Sequence, residues 1–539
     1  LPSIPAEADY IIVGGGSAGS VLANRLSADP GRRVLVLEAG ERDLSPFIHV
    51  PAGIARAIGN PRLDWMHLAK PDPSRGGKVD LWPAGRTLGG SSSINGMLYV
   101  RGVPSDYDRW AALGCEGWSF AEVEPYFRRL EHTPCGEDHL RGRDGPIRVN
   151  ALRTLHPLSH HFIKAATQVG LPFNPDYNGP TAEGIGYPQV TQSFGRRWSA
   201  ARGYLNPARR RSNLSVQTGV IVERLIFEGD RCVGVAFRRG GTRMIARARA
   251  EVLVCAGALG SPKLLMLSGI GPAAELNRLG IEVRHDAPVG ENLLEHPNAT
   301  LSVDVNVRTF NLEMNGPRIA LHALNWLLFG RGPATSPYPH AVGFFKSSPD
   351  LASPDIQIMF GPFAFDFTEA GLQPYLKPSV TAAVSLSYPH NAGRLRLGGP
   401  DPATPPMIEH ALLCSPGDVA ALTRGCRFVQ KIFRAPAFAP FVTAERLPLA
   451  DVTSDADWDA YLRRTTFLGY HPIGTCRMGR DGVTDPRLRV KGVRGLRVAD
   501  ASVIPSHLSG NIYASVIMIA ERASDLIVAD GHIAQPAHT

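Results

Sequence analysis

Residues 469–479 read GYHPIGTCRMG, and His471 stands there between a tyrosine and a proline, with neither helical nor strand periodicity around it. Imidazole, with an ordinary pKa near about 6.5, can take a proton from a reacting hydroxyl close to neutral pH. A rigid turn through Pro472 and Gly474 would fix its ring. An isolated loop histidine usually has no such task, so the chemistry depends on what else the chain binds. The cluster LHPLSHH offers His156, His160 and His161, but no acid or cysteine lies nearby in sequence and Pro157 disturbs the helix start. No metal site is expected there.

The partner of the histidine chemistry lies at the other end of the chain. Residues 9–40 read DYIIVGGGSAGSVLANRLSADPGRRVLVLEAG. An apolar run, Tyr10 to Val13, meets a GxGxxG turn from Gly14 to Gly19; Val21, Leu22 and Leu26 then follow at helical spacing. A second apolar run, Val34 to Leu37, ends at Glu38. This is a βαβ dinucleotide fingerprint in its full context. Gly14 permits the tight turn, Gly16 lets the backbone approach a pyrophosphate, and Gly19 lets helix and strand pack closely. Glu38 is placed to accept from ribose hydroxyls. The fingerprint alone does not distinguish NAD from FAD.

Three further stretches carry more. Residues 85–102 read GRTLGGSSSINGMLYVRG, and residues 257–271, after the strand-like EVLVCA, read GALGSPKLLMLSGIG. Residues 500–527 read DASVIPSHLSGNIYASVIMIAERASDLI. With GYHPIGTCRMG they resemble the glucose–methanol–choline (GMC) oxidoreductase family, in its order and at roughly its spacing over nearly the whole chain, as in a bacterial choline or alcohol dehydrogenase-like member. The resemblance implies FAD as hydride acceptor and a small-molecule alcohol as donor. Gly14, Gly15, Gly16, Ser17, Ala18, Gly19, Glu38 and Ala39 would hold the ADP half, with Val222 at the adenine and Ala256 and Gly257 closing over the nucleotide. Gly90, Asn95, Gly96 and Met97 would lie along the isoalloxazine, with Gly85, Leu98 and Tyr470 as further cofactor contacts. Asp500 and Ala501 would approach the pyrophosphate and ribityl chain, and Asn511 with Ile512 the pyrimidine edge. Some relatives attach FAD through a histidine at the position of Ile94, so here the flavin is expected to be noncovalent.

His471 matches the family's catalytic histidine. The family's second polar residue, a histidine or asparagine, is read eight residues before the glutamate of the final helix. Counting back from Glu521 gives Tyr513, a hydrogen-bond donor but a poor base near neutrality. A local shift bringing Asn511 or His507 into that role is the alternative. The expected reaction is oxidation of an alcohol to a carbonyl, with a dehydrogenase slightly favoured over an oxidase; oxygen and a quinone-like acceptor both stay open. A flavin lyase acting without net redox change, or a flavin-loaded scaffold, are the competing classes.

The elements that must position these residues suggest an α/β fold. A Rossmann-like flavin domain would take residues 7–155, 196–300 and 462–533, and an α+β substrate domain on a large antiparallel sheet 156–195 and 301–461. Residues 219–250 alternate as an antiparallel meander, and 216–227 read as one strand. SVDVNV (302–307), DIQIMF (355–360) and TAAVSLSY (381–388) read as strands of the second sheet. FGPFAFDF (360–367) divides between core and an apolar pocket, favouring an apolar or aromatic alcohol.

With 44% hydrophobic and 20% charged residues, composition is that of an ordinary soluble protein of 539 residues. Net charge is +8, and the clusters Arg196-Arg197 and Arg209-Arg210-Arg211 read as solvated surface, not a nucleic-acid groove. The basic balance is compatible with weak attraction to an anionic membrane surface. Seven cysteines at 115, 135, 232, 255, 414, 426 and 476 form no CxxC pair, which points to a reducing compartment. The expected location is cytoplasmic or peripheral at the inner membrane, since no apolar run reaches about eighteen residues. Oligomeric state has no signature here.

Overall fold

The computed structural model of the chain describes residues 4–313, 316–368, 371–448 and 450–533. Its first sheet grows from the two N-terminal apolar runs. The strands Glu7–Val13 and Val34–Glu38 run parallel, with Tyr10 opposite Val34 and Val13 opposite Leu37. All of Val34–Glu38 is buried, as befits a parallel strand covered on both faces. Leu214–Thr218 joins one side of the pair and Thr242–Val254 the other, both parallel. Leu496–Val498 adds a last parallel strand against the end of Thr242–Val254. The first half of that long strand pairs antiparallel with Arg231–Arg239, which pairs antiparallel with Val220–Glu228.

One element differs from the sequence reading. Residues 216–227 are two strands, because Gly219 at φ +68° breaks the run between Leu214–Thr218 and Val220–Glu228. That left-handed residue suits glycine. It lets the chain leave the parallel edge and start the meander, which places Val222 in the second strand.

The crossing helix Ser17–Leu26 lies against the final helix, Tyr513–Ile533. A buried carboxylate holds them together: Glu521 receives Arg25 Nη2 at 2.7 Å, Arg129 Nη2 at 2.6 Å and the Tyr204 hydroxyl at 2.5 Å. Removing one partner of a buried ion pair costs about 3–5 kcal/mol, so this cluster fixes the helix whose first turn reaches the site.

The second sheet is wholly antiparallel. Its order is Val442–Leu447, Pro297–Val305, Ser379–Leu386, Ile356–Gly361, Ala341–Phe345 and Gly184–Gly186, with Phe467–Leu468 also paired to Pro297–Val305. The strand Pro297–Val305 runs across the seam placed at 300/301, so one strand joins the turn at 290–296 to the substrate half. The fold is mixed α/β: a nucleotide-binding half on a largely parallel sheet and a substrate half on the antiparallel one.

Candidate active site

A single cleft of about 3200 Å³ runs from the glycine turn to His471. Every residue assigned above to cofactor or catalysis lines it except Gly15 and Gly19, which lie behind it. Their places have physical reasons. A Cβ on Gly19 would stand 1.9 Å from the Gly14 carbonyl oxygen, so only glycine lets the helix seat on the turn. Gly14 itself is at φ +100°. The Gly15 N–H points backwards and donates to Glu38 Oε2 at 2.8 Å, while the Gly40 N–H donates to Oε1 at 2.8 Å. Burial pushes the Glu38 carboxyl up to about 7. Each oxygen keeps a lone pair for a hydroxyl donor.

The turn fits a dinucleotide. A Cβ on Gly16 would meet nothing nearer than 3.8 Å, leaving the backbone at the helix N-terminus open to a phosphate. Gly90, at φ +53°, packs its Cα against Gly16, so the serine-rich loop and the nucleotide turn meet backbone to backbone. A bulge between Val222 and Arg224 interrupts the ladder where an adenine edge is expected. Asp500 lines the cleft, and its carboxylate is engaged by protein donors. Its Oδ2 accepts from Gly257 N at 2.8 Å and Ser261 Oγ at 2.5 Å, and its Oδ1 accepts from Ser502 N at 2.9 Å. The carboxylate therefore ties the 500–503 turn to the helix Gly257–Leu267.

Arg197 corrects the surface reading of the Arg196-Arg197 pair. It is 1% exposed and sits under the serine-rich loop. Nη1 donates to Asn95 O and Oδ1 at 2.7 Å each, and Nε donates to Ile48 O at 2.9 Å. Burial lowers this guanidinium to about 9, still protonated at neutral pH. The alternating polar stretch around it gave no sign of a buried cation.

His471 lies at the far end. Its backbone N–H donates to both oxygens of Glu295 at 2.9 Å, and the His296 N–H donates to Glu295 Oε1 at 2.8 Å. One carboxyl thus pins two histidines, and burial pushes it up to about 8. Tyr470, just before His471, is held at φ +63°, an uncommon conformation for a bulky residue and one that clusters at functional sites.

The ring of His471 makes two contacts. Nδ1 lies 3.0 Å from His296 Nδ1, and Nε2 lies 2.9 Å from Asn511 Nδ2. Gln357 Nε2 donates to Asn511 Oδ1 at 3.1 Å, which orients the amide so that its NH₂ faces the imidazole. With that orientation Nε2 carries the lone pair and Nδ1 the proton, donated to His296. Burial holds His471 well below the ordinary histidine range and lowers His296 to about 4. His507 packs over His296 with ring centroids 5.2 Å apart and is likewise held low by burial. All three rings are neutral at pH 7.

The residue brought to His471 is therefore Asn511, not Tyr513. The Tyr513 hydroxyl is buried without a hydrogen-bond partner among the described residues, and burial raises it above the ordinary phenol value. Register explains the difference. Asn511 lies in the irregular chain just before the final helix, whereas Tyr513 opens the helix and turns beside Arg197 and Ser92. Glu295 and His296 were missed in sequence, where the only signal was an acid–histidine pair in GENLLEHPN just before a strand; His507, named as an alternative second residue, packs on His296 and not on the His471 ring nitrogens.

Opposite the histidines the cleft wall includes Tyr338, Met359, Phe363, Phe365 and Phe467. Phe363 contacts Tyr338 edge-on at 5.6 Å and stacks on Phe365 at 5.5 Å. Phe360 belongs to the core, stacked on Phe162 at 4.2 Å, and the side chain of Phe367 lies outside the described residues. His156 and His160 bond to Arg308 O and the Tyr187 hydroxyl and do not converge. Asp72, Asp80 and His410 form the one metal-like cluster among the described residues. Arg75 already lies between the two carboxylates, 2.6 Å from Asp72 Oδ2 and paired with Asp80.

The family model described as GMC oxidoreductase matches in two parts, over residues 8–298 and 389–520. An oxygen-dependent choline dehydrogenase of Sinorhizobium fredii is 40% identical over 529 residues, covering 97% of this chain and 96% of that protein. An alcohol dehydrogenase [acceptor] of Pseudomonas putida is 40% identical over 531 residues, covering 96% and 95%. The crystal structure of pyridoxine 4-oxidase from Mesorbium loti superposes with a TM-score of 0.88 at 30% identity, covering 98% of this chain and all of that one.

Proposed function

The chain belongs to the GMC oxidoreductase family, and from that premise we propose that His471 Nε2 takes the hydroxyl proton of an alcohol while Asn511 holds its oxygen. The protein is an FAD-dependent enzyme that oxidises a CH–OH donor to a carbonyl. Bound in the cleft, FAD supplies the acceptor, at N5, for the hydride that leaves the carbinol carbon. The chain must therefore place the hydroxyl within reach of a neutral base. His471 meets that need: its Nε2 lone pair faces Asn511 at the cleft wall, and its Nδ1–H is taken by His296. As the O–H proton moves to Nε2, the Nδ1–H stays hydrogen-bonded to His296 and holds the ring in place, and the Asn511 NH₂ donates to the oxygen on which negative charge grows. That single contact, Asn511 Nδ2 to His471 Nε2, carries the reading.

Several finer points are our reading. The flavin is noncovalent, supported by Ile94 where an attaching histidine would stand. The alcohol is apolar or aromatic, supported by the Phe363, Phe365 and Tyr338 wall. A dehydrogenase is favoured over an oxidase, in keeping with the names of the two enzymes at 40% identity. A reducing compartment such as the cytoplasm agrees with all seven cysteines being free.

The test is a screen of apolar, aromatic and cationic alcohols, choline included, with oxygen and with a dye acceptor, followed by anaerobic stopped flow. His471→Ala should slow flavin reduction by about 10²- to 10⁴-fold with flavin still bound. Reduction at the wild-type rate would remove His471 from the mechanism.

A further inference from the structure

The helix Arg318–Phe329, RIALHALNWLLF, has no buried residue. Its polar residues Arg318, His322 and Asn325 share one stripe at i, i+4 and i+7, and the rest of its surface is apolar, which a surface helix normally buries; yet this one stands exposed over the mouth of the cleft. Ile319, Ala323 and Trp326 line the cleft. Leu321, Leu328 and Phe329 do not line it and are 62%, 61% and 63% exposed. Phe194, 79% exposed, extends the apolar patch, because its carbonyl abuts Gly330 and Trp326 Nε1 donates to Gly195 O at 2.6 Å.

The charges around this helix have one dominant sign. Arg318 opens it and Arg331 follows it. Arg196 lies over the Trp326 ring at 4.8 Å, and Arg153 Nη2 reaches the Phe329 carbonyl. Glu313 is the carboxylate in contact with the helix among the described residues, and it is shared by Arg308, Arg318 and His322. A leucine-rich face with arginines at both ends and along its flank suits an anionic lipid surface, with the apolar side chains sunk below the headgroups. The helix is far too short to span, and none among the described residues is long and apolar enough to do so.

We propose that this helix and Phe194 seat the enzyme on an anionic lipid bilayer with the cleft mouth turned to the membrane. Alcohols dissolved in the lipid would then enter past Ile319 and Trp326, a consequence that rests on the function proposed above, whereas the docking does not. The experiment uses the FAD-loaded full chain and sedimentation with vesicles of equal parts phosphatidylcholine and phosphatidylglycerol, against pure phosphatidylcholine. The wild type should pellet with the mixed vesicles, lose at least tenfold in partitioning on pure phosphatidylcholine, and weaken as salt rises. Leu321→Glu with Leu328→Glu should lose at least tenfold on the mixed vesicles while keeping flavin content and melting temperature. Arg318→Ser with Arg331→Ser, which leaves the apolar face intact, should lose severalfold on the mixed vesicles only. A wild type that stays in the supernatant overturns the proposal. So does a leucine variant that pellets equally well, or a concentration-dependent dimer that the leucine variant abolishes while vesicles bind neither protein.

Discussion

Removing the Asn511 amide should do far more harm than removing the Tyr513 hydroxyl. Asn511 Nδ2 stands 2.9 Å from the nitrogen proposed as the base, where alcohol oxygen must come to give up its proton. A hydrogen bond to an oxygen gaining charge is worth about 1.5–3 kcal/mol, or about 10- to 150-fold in rate. Asn511→Leu removes the donor and also deprives the buried Gln357 amide of its acceptor. Flavin reduction in anaerobic stopped flow, measured per bound flavin, should slow by that factor. Tyr513→Phe deletes a buried hydroxyl whose nearest polar neighbour is Ser92 and which does not reach His471. Losing such a group should change the rate by less than about twofold, because a hydroxyl remote from the proton transfer is worth little there. In the double variant Asn511→Leu, His471→Ala the two losses should combine to less than their product, because both act on one proton transfer. A tenfold slower Tyr513→Phe beside a near-normal Asn511→Leu would refute the assignment and return the second role to the phenol.

Glu38→Ala should weaken FAD binding to the apoprotein by about ten- to over a hundredfold, the worth of a charge-assisted hydrogen bond, without changing the reaction of loaded molecules. In the same preparation acid precipitation should free the flavin, and flavin left in the pellet would contradict noncovalent attachment. Stability of the apoprotein should peak with pH. The depressed histidines, His67 and His296 at about 4 among them, bind fewer protons folded than unfolded, so stability climbs as pH rises toward about 6.5. Glu38 and Glu295, raised from 4.5 to about 7 and about 8, bind more protons folded from about pH 4.5 upward, so they oppose the histidine limb below about 6.5 and leave stability falling between there and 8. Melting curves at pH 5, 6.5 and 8 check both limbs, and Glu295→Gln should flatten the second; a steady rise to pH 8 would contradict it. The acid limb of kcat/KM should lie below about pH 6.5, because burial depresses His471.

The parts of this site readable in sequence are those made by short contiguous chain. The GxGxxG turn, Glu38 nineteen residues after Gly19 and the histidine beside Pro472 each specify their geometry within a few residues. The antiparallel substrate sheet was legible from alternating runs at 302–307 and 381–388. What stayed hidden depends on contacts across long separations. His296 meets His471 over 175 residues, and Arg197 caps Asn95 over 102. An arginine beside another arginine looks solvated until a loop a hundred residues away supplies carbonyls. The Asn511/Tyr513 assignment failed for a local reason: two residues separate irregular chain from helix, and counting from Glu521 does not reveal where the helix begins.

The strand Leu496–Val498 and the Glu521 cluster also bear on how the protein is made. The sheet that starts with Glu7–Val13 gains its last parallel strand only at residue 496, and the helix that closes over Ser17–Leu26 comes later still. At roughly 5–20 residues per second of synthesis, roughly 25–100 s separate the first strand from its completion. During that interval the glycine turn exists without the chain of Ala501, Asn511 and Ile512 that lines the other side of its cleft. Cofactor loading is thereby pushed to the end of translation. A ribosome stalled in the substrate half would display an apolar parallel edge with nothing to cover it, the condition under which chaperones are recruited.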